Sequence, residues 1–218
     1  MAFPLTHLLV AGRILEKYPS TELFVLGSIA PDAIHYRKSL QEASQFGIGP
    51  AKKITHLCPI SDEKWGYITD NEGWIECVRL FLCQNSNPLA TGYAVHVLTD
   101  IFNNKGIWRD FCNNYPQEAA KGYKSDYYRD MRNVDLRLYH EHFKNSRVRE
   151  MLDNATAQDI MGLIIKDELE AIQNNLLNVQ YINAPENVCT DDCFYVTYEQ
   201  TLNFIDDAAE FCINMILL

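Results

Sequence analysis

His96 and Asp100 stand four residues apart in the run from Asn87 to Trp108, NPLATGYAVHVLTDIFNNKGIW, which otherwise reads as buried helix. Residues at i and i+4 share one helical face, their Cβ atoms roughly 5–6 Å apart. An imidazole and a carboxylate so placed can converge on one cation, and both are zinc ligands with bonds of roughly 2.0–2.2 Å. Asp100 lies among Val95, Val97, Leu98, Ile101 and Phe102. A carboxylate buried in such company is costly unless it is paired or bound to a metal. Further candidate ligands are His7, Asp32, His35 three residues after Asp32, and His56 in KKITH. Taken singly, each histidine is equally well explained as a hydrogen-bonded core group or a solvent-exposed one, and Asp32 as a helix cap. Taken jointly with Asp100, a metal is the simplest account.

These residues need elements to hold them, and the periodicity supplies helices. A first helix spans Leu5 to Leu15 and ends around Lys17–Pro19, since proline disfavours helix in the residue before it. A short second one covers Glu22 to Gly27, and Pro31 leaves Asp32 to open a new turn. Residues 39–68, with Gly47, Gly49, Pro50 and Pro59, read as irregular, which places His56 in a loop. Helical patterning returns at Asn71–Cys83, and Asn85 to Pro88 turns the chain into the central helix. Ile107–Asn113 is a short continuation of that helix. Longer helices are expected over Gln117–His142, Thr156–Val179 and Tyr195–Leu218. No period-two strand and no internal repeat is visible. The expected fold is all-α, one bundle-like domain over residues 1–218.

Composition narrows the function classes. At 218 residues the chain can bury a substantial core without disulfide staples, and its seven cysteines read as unpaired, buried thiols. Cys189 and Cys193 are too widely spaced for a zinc knuckle. A net charge of −10 argues against a generic nucleic-acid surface, while an acidic protein can still handle phosphates if a metal supplies local positive charge. No apolar run reaches the roughly 20 residues that span a bilayer. The N-terminus lacks a signal peptide's basic start and cleavage site, so the expectation is a soluble, cytoplasmic protein.

His7 in THLLVA, Asp32 in LGSIAPDA, His56 in KKITH and the pair in GYAVHVLTDI resemble, in that order, the zinc-dependent phospholipase C family. The single-strand-specific zinc nucleases share its fold. The resemblance covers residues 5–104 and implies an all-α hydrolase acting on phosphoesters with zinc. It implies that Asp32, His56, His96 and Asp100 bind one ion, and that Asp100 bridges to a second held also by His7. Secreted members add an N-terminal tryptophan as a ligand, which this chain lacks; His35, one turn from Asp32, is a candidate replacement. Position 106, where those members carry a further histidine, is glycine here. The family's H-x-x-x-E pair is also absent, and His140, Glu141, His142 and Asp135 do not match its spacing, so two zinc ions are expected.

The implied reaction is hydrolysis by water activated at the metals, with Asp32 and Asp100 as the catalytic carboxylates and Asp32 as a candidate general base. The substrate stays open between a phospholipid, a nucleotide and a small phosphoester. Trp65, Tyr67 and Trp74 are candidates for stacking on it or for the core. A His-Asp phosphohydrolase is set aside because no adjacent His-Asp pair occurs. The alternative is a non-catalytic member that keeps a structural metal and serves as a binding or interaction domain.

Overall fold

The computed structural model describes residues 3–38, 49–59, 63, 66–160 and 162–216. Among them the chain is all-α, with no strand beyond one isolated bridge between Ile160 and Ile164. The helices are α1 Pro4–Lys17, α2 Glu22–Gly27, α3 Gly49–Thr55, α4 Asn71–Gln84, α5 Pro88–Lys105, α6 Ile107–Asn114, α7 Pro116–Ala119, α8 Asp126–Leu138, α9 Arg147–Asn154, α10 Lys166–Asn178 and α11 Tyr198–Ile216. Two 3-10 helices, Ala30–Tyr36 and Gly122–Lys124, and a π turn, Tyr139–Phe143, complete it.

The central helix is α5. Asn87 caps it, its side chain accepting from the Ala90 amide at 2.9 Å, and Pro88 opens its first turn. Both choices suit a helix start, where amides lack intrahelical partners. From Leu89 to Ile101 nearly every residue is buried, because α1, α2, α4 and α11 pack around it. A helix apolar on all sides is stable only as a core element. A smaller aromatic cluster of Trp108, Phe111, Tyr127 and Tyr128 sits beyond its C-terminal end.

Four expectations are corrected. Gln117–His142 is not one helix: Gly122 has φ +55°, and a left-handed residue cannot continue a right-handed helix. Thr156–Val179 starts its helix only at Lys166, because Gly162 (φ +71°) turns the preceding segment back on itself. His56 is not in an open loop. It extends α3 by one residue, its amide donating to the Lys52 carbonyl at 2.9 Å. The last helix begins at Tyr198, three residues later than expected.

All seven cysteines are unpaired, but only Cys193 and Cys212 are buried, and Cys83 and Cys189 are exposed. Among the described residues no helix is long and apolar enough to cross a membrane.

Candidate metal centre

The first candidate ligand, His96, is placed by glycine. A Cβ on Gly27 would overlap the Leu89 carbonyl oxygen, and one on Gly92 the Phe24 carbonyl oxygen. Without side chains there, α2 and α5 meet backbone to backbone. This approach carries the Ser28 carbonyl to within 2.8 Å of His96 Nδ1. A carbonyl only accepts, so Nδ1 is the donor and Nε2 is the nitrogen left for another partner.

His56 is oriented in the same way. Its Nδ1 lies 2.9 Å from the Lys52 carbonyl, one helical turn earlier. Trp74 donates its indole N–H to the His56 carbonyl at 2.7 Å, and the Tyr93 hydroxyl donates to the Thr55 carbonyl, tying the end of α3 to α4 and α5. His56 Nε2 and His96 Nε2 then face each other at 3.3 Å. With both Nδ1 atoms committed to backbone carbonyls, the two Nε2 atoms are the ring nitrogens left to meet a cation between them. Metal-binding histidines commonly donate their other ring N–H to a carbonyl, as both do here.

The remaining donors close around this pair. His7, on α1, stacks on the His96 ring with centroids 3.6 Å apart and planes 10° from parallel. Neither of its ring nitrogens has a hydrogen-bond partner, although the side chain is wholly buried. Asp100 Oδ1 lies 3.7 Å from His7 Nε2, and Asp100 Oδ2 lies 3.7 Å from His56 Nε2. Asp32 reaches in from the 3-10 helix, with Oδ1 3.4 Å from His56 Nε2 and Oδ2 3.9 Å from His96 Nε2. Two three-donor groups result, His7–Asp32–His96 and His56–His96–Asp100, each with its ligand atoms within 4.8 Å of one another. Donors of a tetrahedral zinc site lie about 3.3 Å apart, given bonds of about 2.0 Å. The spacing, the imidazole and carboxylate chemistry and the orphaned His7 nitrogens all fit a divalent ion such as zinc.

Sequence reasoning missed Lys52. Its ammonium is buried, 2.7 Å from Asp32 Oδ1 and 3.3 Å from His35 Nε2. Burial alone would lower the Lys52 pKa, but the Asp32 and Asp100 carboxylates and the Asp32 hydrogen bond outweigh it, and the result is raised. Burial would likewise raise Asp32. The adjacent Lys52 charge holds that carboxyl well below the usual range instead. His56 is pushed down to about 4 by burial first and by the Lys52 charge second, and His7 falls well below its ordinary value through burial and the neighbouring His96. The one signal available beforehand was spacing, since Lys52 precedes His56 by four residues in KKITH.

His35 does not join the three-donor groups. The 3-10 helix, at three residues per turn, puts it on the Asp32 face, where its Nε2 lies 3.6 Å from Asp32 Oδ1 with the ring 40% exposed. Asp32, His35 and Lys52 line a cavity of about 520 Å³ whose other walls include Phe3, Tyr36, Tyr123 and Tyr128. The candidates for a third site are elsewhere: Glu141 and His142 both bond the Tyr198 hydroxyl, and Asp135 accepts from Tyr181. Trp74 belongs to the core and Tyr67 is exposed, while Trp65 lies outside the described residues.

No protein-family model, no curated protein and no solved structure matches the chain.

Proposed function

We propose that this protein is a divalent-metal-dependent hydrolase of phosphoesters. The observation that carries the reading is the pair of imidazole Nε2 atoms facing each other at 3.3 Å, each ring fixed through Nδ1 on a backbone carbonyl. The order His7, Asp32, His56, His96, Asp100, which resembles the zinc-dependent phospholipase C family, extends it from metal binding to phosphoester chemistry.

His7, His56, His96, Asp32 and Asp100 hold the metal. When bound, a divalent ion supplies Lewis acidity toward a phosphoryl oxygen and toward water. The chain does the rest. Asp100 is 3% exposed and Asp32 13%, so Asp32 is the carboxylate that reaches both the cluster and the cavity. It stands ionised beside Lys52 and accepts the proton of the attacking water. The apolar walls exclude bulk water and strengthen the electrostatics inside. Substrate enters by this cavity, and a phospholipid or a small phosphoester is the expected class.

The test is hydrolysis of a chromogenic aryl phosphodiester by zinc-loaded protein, chelated protein and a His96→Ala variant. Chelation and His96→Ala should each lower kcat/KM at least a hundredfold. Unchanged hydrolysis, or purified protein that takes up no divalent ion, overturns the reading. A structural metal in a binding domain is the second reading, favoured by the full burial of His7 and His56. Tight zinc binding without turnover of diester, monoester or phospholipid would assign that one.

A further inference from the structure

The two three-donor groups share His96. Because His96 Nδ1 is committed to the Ser28 carbonyl at 2.8 Å, only Nε2 can ligate, and one lone pair serves one ion. The two groups therefore cannot both be filled as they stand. A second ion would have one histidine of its own, His56 or His7, and would have to share a carboxylate with the first, Asp32 or Asp100, whose two oxygens face different histidines.

Charge points the same way. The cluster holds two carboxylates, Asp32 and Asp100, and one ammonium, Lys52, all little exposed. One divalent ion brings these charges to +1 and two bring them to +3, in surroundings where unbalanced charge is strongly unfavourable. Lys52 Nζ already sits 2.7 Å from Asp32 Oδ1 and 3.3 Å from His35 Nε2. Those two atoms, 3.6 Å apart, are the pair a further cation on the cavity side would use.

We infer that the centre takes a single divalent ion and that the Lys52 ammonium stands in the place of a second. This rests on the metal-centre reading of the proposed function, and it differs from the two ions that the family resemblance implies. Lys52 is a positioning residue in this account. It holds the Asp32 carboxylate with Oδ1 toward His56 and Oδ2 toward His96, and it supplies fixed positive charge beside the cavity where an anionic phosphoryl group docks.

The experiment is ion counting. Full-length wild type, Lys52→Met, Lys52→Gln and Lys52→Arg are loaded with zinc and desalted, ions per chain are measured by plasma mass spectrometry, and affinity by chelator competition. Wild type and Lys52→Arg should hold one ion. Lys52→Met and Lys52→Gln, having lost a repelling charge and uncovered Asp32 Oδ1, should hold a second ion or bind the first at least tenfold more tightly. Two ions in wild type overturn the inference, as do neutral variants with wild-type count and affinity. If Lys52→Met does not fold, Lys52→Gln and the wild-type count still decide. Two ions with active hydrolysis sink this inference and leave the proposed function standing. One ion with the Lys52 dependence but no turnover does the reverse.

Discussion

Replacing His7 by phenylalanine should stabilise the metal-free protein. The ring is wholly buried, and neither nitrogen finds a partner. Burial keeps it neutral, its pKa well below the ordinary value, so one N–H donor and one lone pair are unsatisfied. Each such group costs about 1–3 kcal/mol, or roughly 2–6 kcal/mol for the ring. Phenylalanine keeps the flat shape that stacks on His96 and removes both polar atoms, at an overpacking cost of about 1–2 kcal/mol for its extra volume. The net gain expected is about 0–5 kcal/mol, and for a chain of this size each kcal/mol raises Tm by roughly 2–4 °C. Urea unfolding in the presence of a chelator reads it directly. Zinc should narrow the advantage, since a bound ion gives His7 of the wild type the partner it lacks and stabilises by about 2.7 kcal/mol at a hundredfold excess over Kd. A metal-free His7→Phe that is destabilised by more than about 1 kcal/mol refutes the reasoning. It would mean that the orphaned nitrogens carry no cost and that His7 is an ordinary core residue.

Gly92→Ala forces a methyl into the Phe24 carbonyl, a backbone atom that cannot step aside. It should cost about 3 kcal/mol or more and weaken zinc binding by displacing the Ser28 carbonyl from His96; unfolding and chelator competition measured together check both. Asp135 is pushed by burial from 3.8 to about 7, a shift that the Tyr181 hydroxyl at 2.6 Å only partly offsets. The native state thus holds this proton more tightly than the unfolded chain, so stability falls as pH rises between those values, by roughly 4 kcal/mol at most. Asp135→Asn should remove that loss, seen as a variant whose advantage over wild type grows from pH 4 to pH 8; a constant difference would count against it.

Much of the fold was legible because its signals are local. Apolar spacing, Pro4, Asn87 and Pro88 mark helix starts that depend only on nearby backbone, and α1, α2 and α5 stand where they were expected. The failures were glycines. Gly122 and Gly162 sit in segments read as continuous helix, and a lone glycine there does not by itself reveal whether its φ is positive. The long irregular stretch hid α3, whose seven residues are too few for periodicity to register.

The candidate ligands were legible for a chemical reason: histidines and aspartates among apolar neighbours need partners, and few partners are possible. Sequence by itself determined the residue types and the i, i+4 pairing of His96 with Asp100, because helical geometry sets both. Tertiary structure alone decided the rest. Glycine-permitted contact of α2 with α5 chose the His96 tautomer, the end of α3 turned His56 Nε2 toward it, and the same short helix delivered Lys52 to Asp32. Which nitrogen faces the cluster, and which cation a carboxylate meets, depend on groups tens of residues apart in the chain, and only packing brings them within reach.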